Sequence, residues 1–99
     1  MTYVLHPSVE RELAEAARFY RREAGREVAA RFVDEFERVA RLLAERPGLG
    51  TPTGGERRSF PLHGFPYSII YRPAGQSVRI LVLRHQHRDP DHGQGRGRR

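Results

Sequence analysis

From Arg57 to Arg88 the chain reads RRSFPLHGFPYSIIYRPAGQSVRILVLRHQHR, a series of apolar segments studded with arginine and cut by turn residues. Phe65 to Arg72 and Val78 to Arg84 alternate well enough for strands. Both are so rich in Ile, Val, Leu and Tyr that each face must be largely covered. Between them Pro73-Ala74-Gly75-Gln76 joins the preset φ of proline to glycine's tolerance of positive φ, which is hairpin chemistry. The spacing predicts two adjacent antiparallel strands lying under a helical layer.

That layer is legible upstream. Thr2 to His6 alternates Tyr3 and Leu5 against Val4, a short strand closed by Pro7. Pro7 and Ser8 suit a helix start, and Glu10 and Glu12 suit its positive end. Val9, Leu13, Ala16, Ala17, Tyr20 and Ala24 then repeat at helical spacing until Gly25. A second helix runs from about Arg26 to Arg46, with Val28, Ala29, Phe32, Phe36, Val39, Ala40 and Leu43 on one face. On its other face Asp34 precedes Arg38 and Glu37 precedes Arg41 by four residues, a self-paired solvated surface. So short a connection makes the two helices an antiparallel hairpin, whose apolar stripe covers one face of the sheet.

Pro47 to Gly55 holds two prolines and four glycines and reads as a loop that breaks regular structure. Arg57 to Leu62 reads as a further strand, with Pro61 arguing for a sheet edge. The expectation is an α+β domain of order β-α-α-β-β-β over residues 1–90, its sheet four-stranded and mostly antiparallel. Residues 91–99, DHGQGRGRR, have no apolar side chain and read as a disordered Gly/Arg-rich tail.

Ninety-nine residues with 37% hydrophobic content make one small domain with one modest core. There is no cysteine, so no disulfide or cysteine-ligated zinc can staple it. The longest apolar run, Ile80 to Leu83, is far too short for a bilayer, and a cytoplasmic location with no membrane partner is expected. The net charge of +6 is not spread evenly. All eighteen basic residues are arginine. Residues 7–46 hold nine Arg and nine acids, whereas residues 47–99 hold nine Arg against Glu56, Asp89 and Asp91. Coding bias can explain arginine over lysine, but not an excess confined to one half. Arginine suits bidentate contact with phosphate or carboxylate, so an anionic partner is expected on the sheet half.

The order of elements, with an arginine-bearing sheet and a helical hairpin, resembles the RelE/ParE superfamily of type II toxin-antitoxin toxins, on its ParE-like branch. The resemblance is carried by Glu12, Leu13 and Ala16, by Ala29-Arg31-Phe32, by Pro47-Gly48-Leu49-Gly50, by Arg58 and Leu62, and by Phe65 to Arg72 (FPYSIIYR). Ile80 to Leu83 followed by His85, Arg88, Asp89 and Pro90 completes it. It implies a toxin paired with a cognate antitoxin, needing no cofactor. It also implies one of two actions: ParE-like poisoning of DNA gyrase, which is binding, or RelE-like cleavage of messenger RNA on the ribosome, which is catalysis. A nontoxic basic RNA-binding module is the reading outside the family.

Cleavage needs a base for the ribose 2′-hydroxyl, an acid for the leaving oxygen and cations for the phosphate. His85 and His87 are the candidates for proton transfer. On a regular strand both share a face with Arg79, while Arg84 and Arg88 take the other. The cleaving branches place an arginine in the central strand, where this chain has Ser68, and often a tyrosine near the C-terminus, whereas Tyr3, Tyr20, Tyr67 and Tyr71 all lie earlier. His85 has the plainer option of bonding a neighbouring carbonyl, and Tyr67 and Tyr71 of core packing. No metal site is expected, since the HxH pair has no second paired ligand motif. Target contacts are expected from Arg58, Arg72, Arg79, Arg84 and Arg88. Arg58 and Arg72 are expected to meet an acidic, partly disordered segment of the antitoxin.

Overall fold

A computed structural model describes residues 2–87 of the protein. Strand β1 (Thr2–Leu5) leads into helices α1 (Pro7–Ala24) and α2 (Arg26–Glu45), followed by β2 (Thr51–Gly54), β3 (Arg57–Pro61), β4 (Tyr67–Ala74) and β5 (Ser77–His85). The sheet is five-stranded, in the order β1-β5-β4-β3-β2. β1 runs parallel to β5 and the other pairs are antiparallel.

The helices begin and end where local chemistry directs. The Nδ1 of His6 accepts from the Ser8 amide at 3.1 Å and Pro7 occupies the first turn, where its missing N–H costs nothing. Gly25, at φ 97, closes α1 and opens α2. The charged face of α2 departs from the expected four-residue pairs, because Arg38 turns to Glu35 and donates Nε and Nη2 to its two oxygens, each at 2.8 Å. That geometry is bidentate, which the Asp34 spacing does not provide.

One face of the sheet packs on the hairpin. Val9 and Ala16 of α1, Phe32, Phe36, Val39, Ala40, Leu43 and Ala44 of α2, and Tyr67, Ile69, Tyr71, Val78, Ile80 and Leu83 of the central strands form one core cluster. Tyr20, Phe32, Phe65 and Tyr67 meet there with ring centroids 5.1–6.4 Å apart, mostly edge to face. A second, smaller cluster of Ile70, Leu81 and Val82 lies apart from it.

Two features correct the expected sheet. The segment expected as pure loop contains β2, whose four residues are all exposed and whose register shifts between Pro52 and Gly54. Its pairing makes β3 an interior strand over Arg57–Ser59, leaving only its Pro61 end without a neighbour beyond, so the edge reading of Pro61 holds for that end alone. The second feature is a bulge in β5. Pairing passes from Ile70↔Val82 to Tyr71↔Ile80, so Leu81 is an extra residue and side-chain alternation inverts across it.

Residues 88–99 lie outside the described residues, and with them Arg88, the boundary at residue 90 and the tail expected over 91–99.

Candidate functional site

The bulge decides which arginines and histidines come together. On β4, Tyr67, Ile69 and Tyr71 face the hairpin, so Ser68, Ile70 and Arg72 face the other way. Their cross-strand partners follow: Ser68↔Arg84, Ile70↔Val82 and Arg72↔Arg79. The open face therefore carries two cationic rows with an apolar row between them. Arg57 extends the Arg72↔Arg79 row into β3, one residue before the Arg58↔Tyr71 pair, and Val4 of β1, 50% exposed, flanks it opposite Arg79. The five strands hold Arg57, Arg58, Arg72, Arg79 and Arg84 and no acidic residue. The Nε atoms of Arg72 and Arg79 are buried and have no hydrogen-bond partner among the described residues.

His85 lies on the opposite side. It pairs with Tyr67, whose ring meets the imidazole edge-on at 5.0 Å, and it shares the hairpin face with Leu83. His87 is not on the strand at all. It sits in the following turn, where its amide donates to His85 Nδ1 at 3.2 Å and its ring is 6.0 Å from that of His85. The expectation that His85 and His87 share a face with Arg79, away from Arg84, is thus overturned. A single added residue at Leu81 groups Arg79 with Arg84 and sends His85 across the sheet.

Arg58 and Arg72, expected to act together, occupy opposite faces as well, being aligned with neighbouring residues of β4. Arg58 donates through Nη1 to the carbonyls of Gly50 at 2.7 Å and Gly48 at 3.2 Å. Beside it the Tyr71 hydroxyl accepts from the Gly50 amide and donates to the Pro47 carbonyl, both at 2.8 Å. Burial raises the Tyr71 pKa more than the Gly50 amide and the Arg58 charge lower it. Together Arg58 and Tyr71 fasten the 46–50 segment to the sheet. Gly50 is required there, because a Cβ would lie 2.7 Å from the Tyr71 hydroxyl and 2.9 Å from the Ser59 carbonyl.

Sequence reasoning also missed two carboxylates that tie the layers together. Glu12 of α1 accepts from the Leu83 amide at 3.2 Å, on the edge of β5 that β1 no longer covers beyond Leu5↔Ile80. Glu35 of α2 accepts from the His63 amide at 2.7 Å, and the Arg38 hydrogen bond holds its carboxyl below the usual glutamate range. No local spacing signals either contact, since each joins residues far apart in the chain. Near Glu35 the hairpin and the β3–β4 connection frame an open groove of about 680 Å³. Its walls include Tyr20, Val28 and Phe65, and its rim Arg31, Asp34 and His63. Among the described residues no three His, Asp or Glu side chains are gathered as metal ligands, and no helix is long and apolar enough to cross a membrane.

This geometry is that of a small basic sheet backed by a helical hairpin, and residues 3–90 match the family model for the ParE toxin of type II toxin-antitoxin systems, parDE. The chain belongs to the ParE toxin family. It is therefore the toxin component of a type II system, whose partner is an antitoxin. Among solved structures, a chain of the chromosomal ParDE TA system from P. aeruginosa shares its fold. The TM-score is 0.76 at 22% identity, over 86% of this chain and 95% of that one. The search of curated proteins gave no match.

Proposed function

We propose that this ParE-family toxin acts in the cytoplasm by binding and inhibiting DNA gyrase, and that its antitoxin restrains it through an acidic, partly disordered segment. The observation that carries binding over catalysis is the division of the site across the sheet. His85 is on the hairpin face, while Arg72, Arg79 and Arg84 are on the other, where Ser68 stands opposite Arg84. Phosphodiester cleavage needs its proton-transfer groups and its cations around one phosphate, within hydrogen-bond reach. An arrangement split by a β-sheet suits recognition of a partner surface instead.

For the antitoxin, charge and shape point the same way. A segment that folds on binding can set an apolar helix face into the groove beside Tyr20, Val28 and Phe65, and carboxylates against the arginine-bearing strands. Purified gyrase provides the test: the protein should block supercoiling without any ribosome or messenger RNA present. Ribosome-dependent RNA cleavage with gyrase untouched would assign the RelE-like action in its place.

A further inference from the structure

The arm formed by residues 47–56 is kept at a cost that the core does not explain. β2 buries no side chain, so its pairing with β3 adds no apolar packing. The segment leading into it is nevertheless held rigid. Arg58 and Tyr71 bond the Pro47, Gly48 and Gly50 carbonyls, and the Leu49 amide donates to the Arg46 carbonyl at 3.1 Å. This fastened loop presents Leu49 outward, a large apolar side chain left 40% exposed. Beyond the other end of β2, Glu56 takes φ 66, a conformation that a residue with a Cβ holds only at a cost. Local rules broken together on one element, in a chain whose helices obey them, mark a contact surface rather than a requirement of folding.

We propose that Leu49 and Glu56, on either side of β2, form a docking arm for the protein on which the toxin acts: Leu49 enters an apolar pocket and Glu56 accepts from a basic side chain. The arm stands on the fold alone; identifying its partner as gyrase rests on the proposed function above. Charge selects the partner. Glu56 is the only acidic residue among the described residues that follow Glu45, and its carboxylate makes no hydrogen bond or ion pair among them. It repels nucleic-acid phosphate and an acidic antitoxin segment alike, and attracts the arginine or lysine of a protein surface. Edge-to-edge pairing with a second copy of this chain is opposed by Pro52, which lacks a donor, and by the register shift between Pro52 and Gly54. A loop already fixed by Arg58 and Tyr71 loses little freedom on docking, which favours binding.

The test uses the full chain and its Leu49→Ser, Glu56→Gly, Glu56→Gln and Glu56→Arg variants, with Glu15→Gln on the exposed face of α1 as the control. Growth arrest on expression is read first, since it assumes no target, and inhibition of purified gyrase second, so that failure of the gyrase reading leaves the arm tested. Leu49→Ser and Glu56→Arg should each need about tenfold more protein for the same effect, Glu56→Gln about threefold more, and Glu15→Gln no more than the parent. Glu56→Gly separates function from fold: it should melt at or above the parent temperature and still lose about threefold in potency. Three results would overturn the proposal: undiminished potency in Leu49→Ser and Glu56→Arg (a spectator arm), greater potency in Glu56→Arg (an anionic partner), or losses that track a fall in melting temperature across the set (a structural role). Membership in the ParE family survives each of them, because it rests on residues 3–90 as a whole.

Discussion

Tyr71 ties the segment after α2 to the sheet, since its hydroxyl anchors Pro47 and Gly50 to the central strand. Tyr71→Phe removes both bonds and leaves a buried amide unmet, for an expected loss of about 1–3 kcal/mol in urea unfolding. Gly50→Ala should cost a similar amount, about 1–3 kcal/mol, through overpacking against the same ring. The pH dependence follows in sign. Burial raises the folded-state pKa of Tyr71, so its contribution is complete below the ordinary tyrosine value and lost as pH climbs through the raised one. Tyr71→Phe should therefore flatten the alkaline limb of the stability profile. Glu35 behaves oppositely. Its folded pKa is lowered, first by the Arg38 hydrogen bond, so its contribution is present above the ordinary glutamate value and lost as pH falls through the lowered one. Acid titration of Glu35→Gln should show a shallower loss, and an unchanged acid limb would mean that the Arg38 and His63 contacts contribute nothing.

At the level of elements, the β2–β3 turn carries a strain that can be relieved. Gly55 and Glu56 both have positive φ, 59° and 66°, the arrangement of a type I′ hairpin turn. Glycine tolerates this at either position, whereas a residue with a Cβ does so at a cost of about 1–2 kcal/mol. Glu56→Gly should accordingly raise stability by up to about 1 kcal/mol after its greater unfolded-state freedom is counted, seen as a higher urea midpoint at unchanged slope. This turn also shows why β2 escaped the sequence. Thr51-Pro52-Thr53-Gly54 has neither alternation nor apolar content, because all four residues are exposed and the strand is held by backbone pairing alone. The helices, by contrast, were legible in extent, since their apolar residues are periodic and Gly25 marks the boundary, although the Arg38–Glu35 pair was not. β4 and β5 were legible as a hairpin, although the strands run on through Pro73 and Ala74 so that only Gly75 and Gln76 form the loop. The bulge was not. In the run Ile80-Leu81-Val82-Leu83 every side chain is buried, so no polar residue reports an inverted register, and Arg79 and His85, expected on one face, lie on opposite faces as a result.

For the whole molecule, charge and layer coincide. The helices hold their acids and arginines in near balance, while the strands hold arginine alone, so the molecule presents a self-compensated helical side and a cationic sheet side. Such a division steers anionic partners to one face and makes the encounter sensitive to salt. It does not by itself favour a gyrase inhibitor over a ribonuclease; the proposed binding action draws its support from the sheet that divides His85 from Arg72, Arg79 and Arg84. The most direct measurement is gyrase supercoiling by the purified protein and by His85→Ala, with ribosome-dependent cleavage of messenger RNA followed in parallel. Inhibition of gyrase by both proteins, with no RNA cut by either, is the result the proposed binding action predicts, since it asks no chemistry of the histidine. RNA cleavage that disappears in His85→Ala, with supercoiling unaffected by either protein, would contradict it.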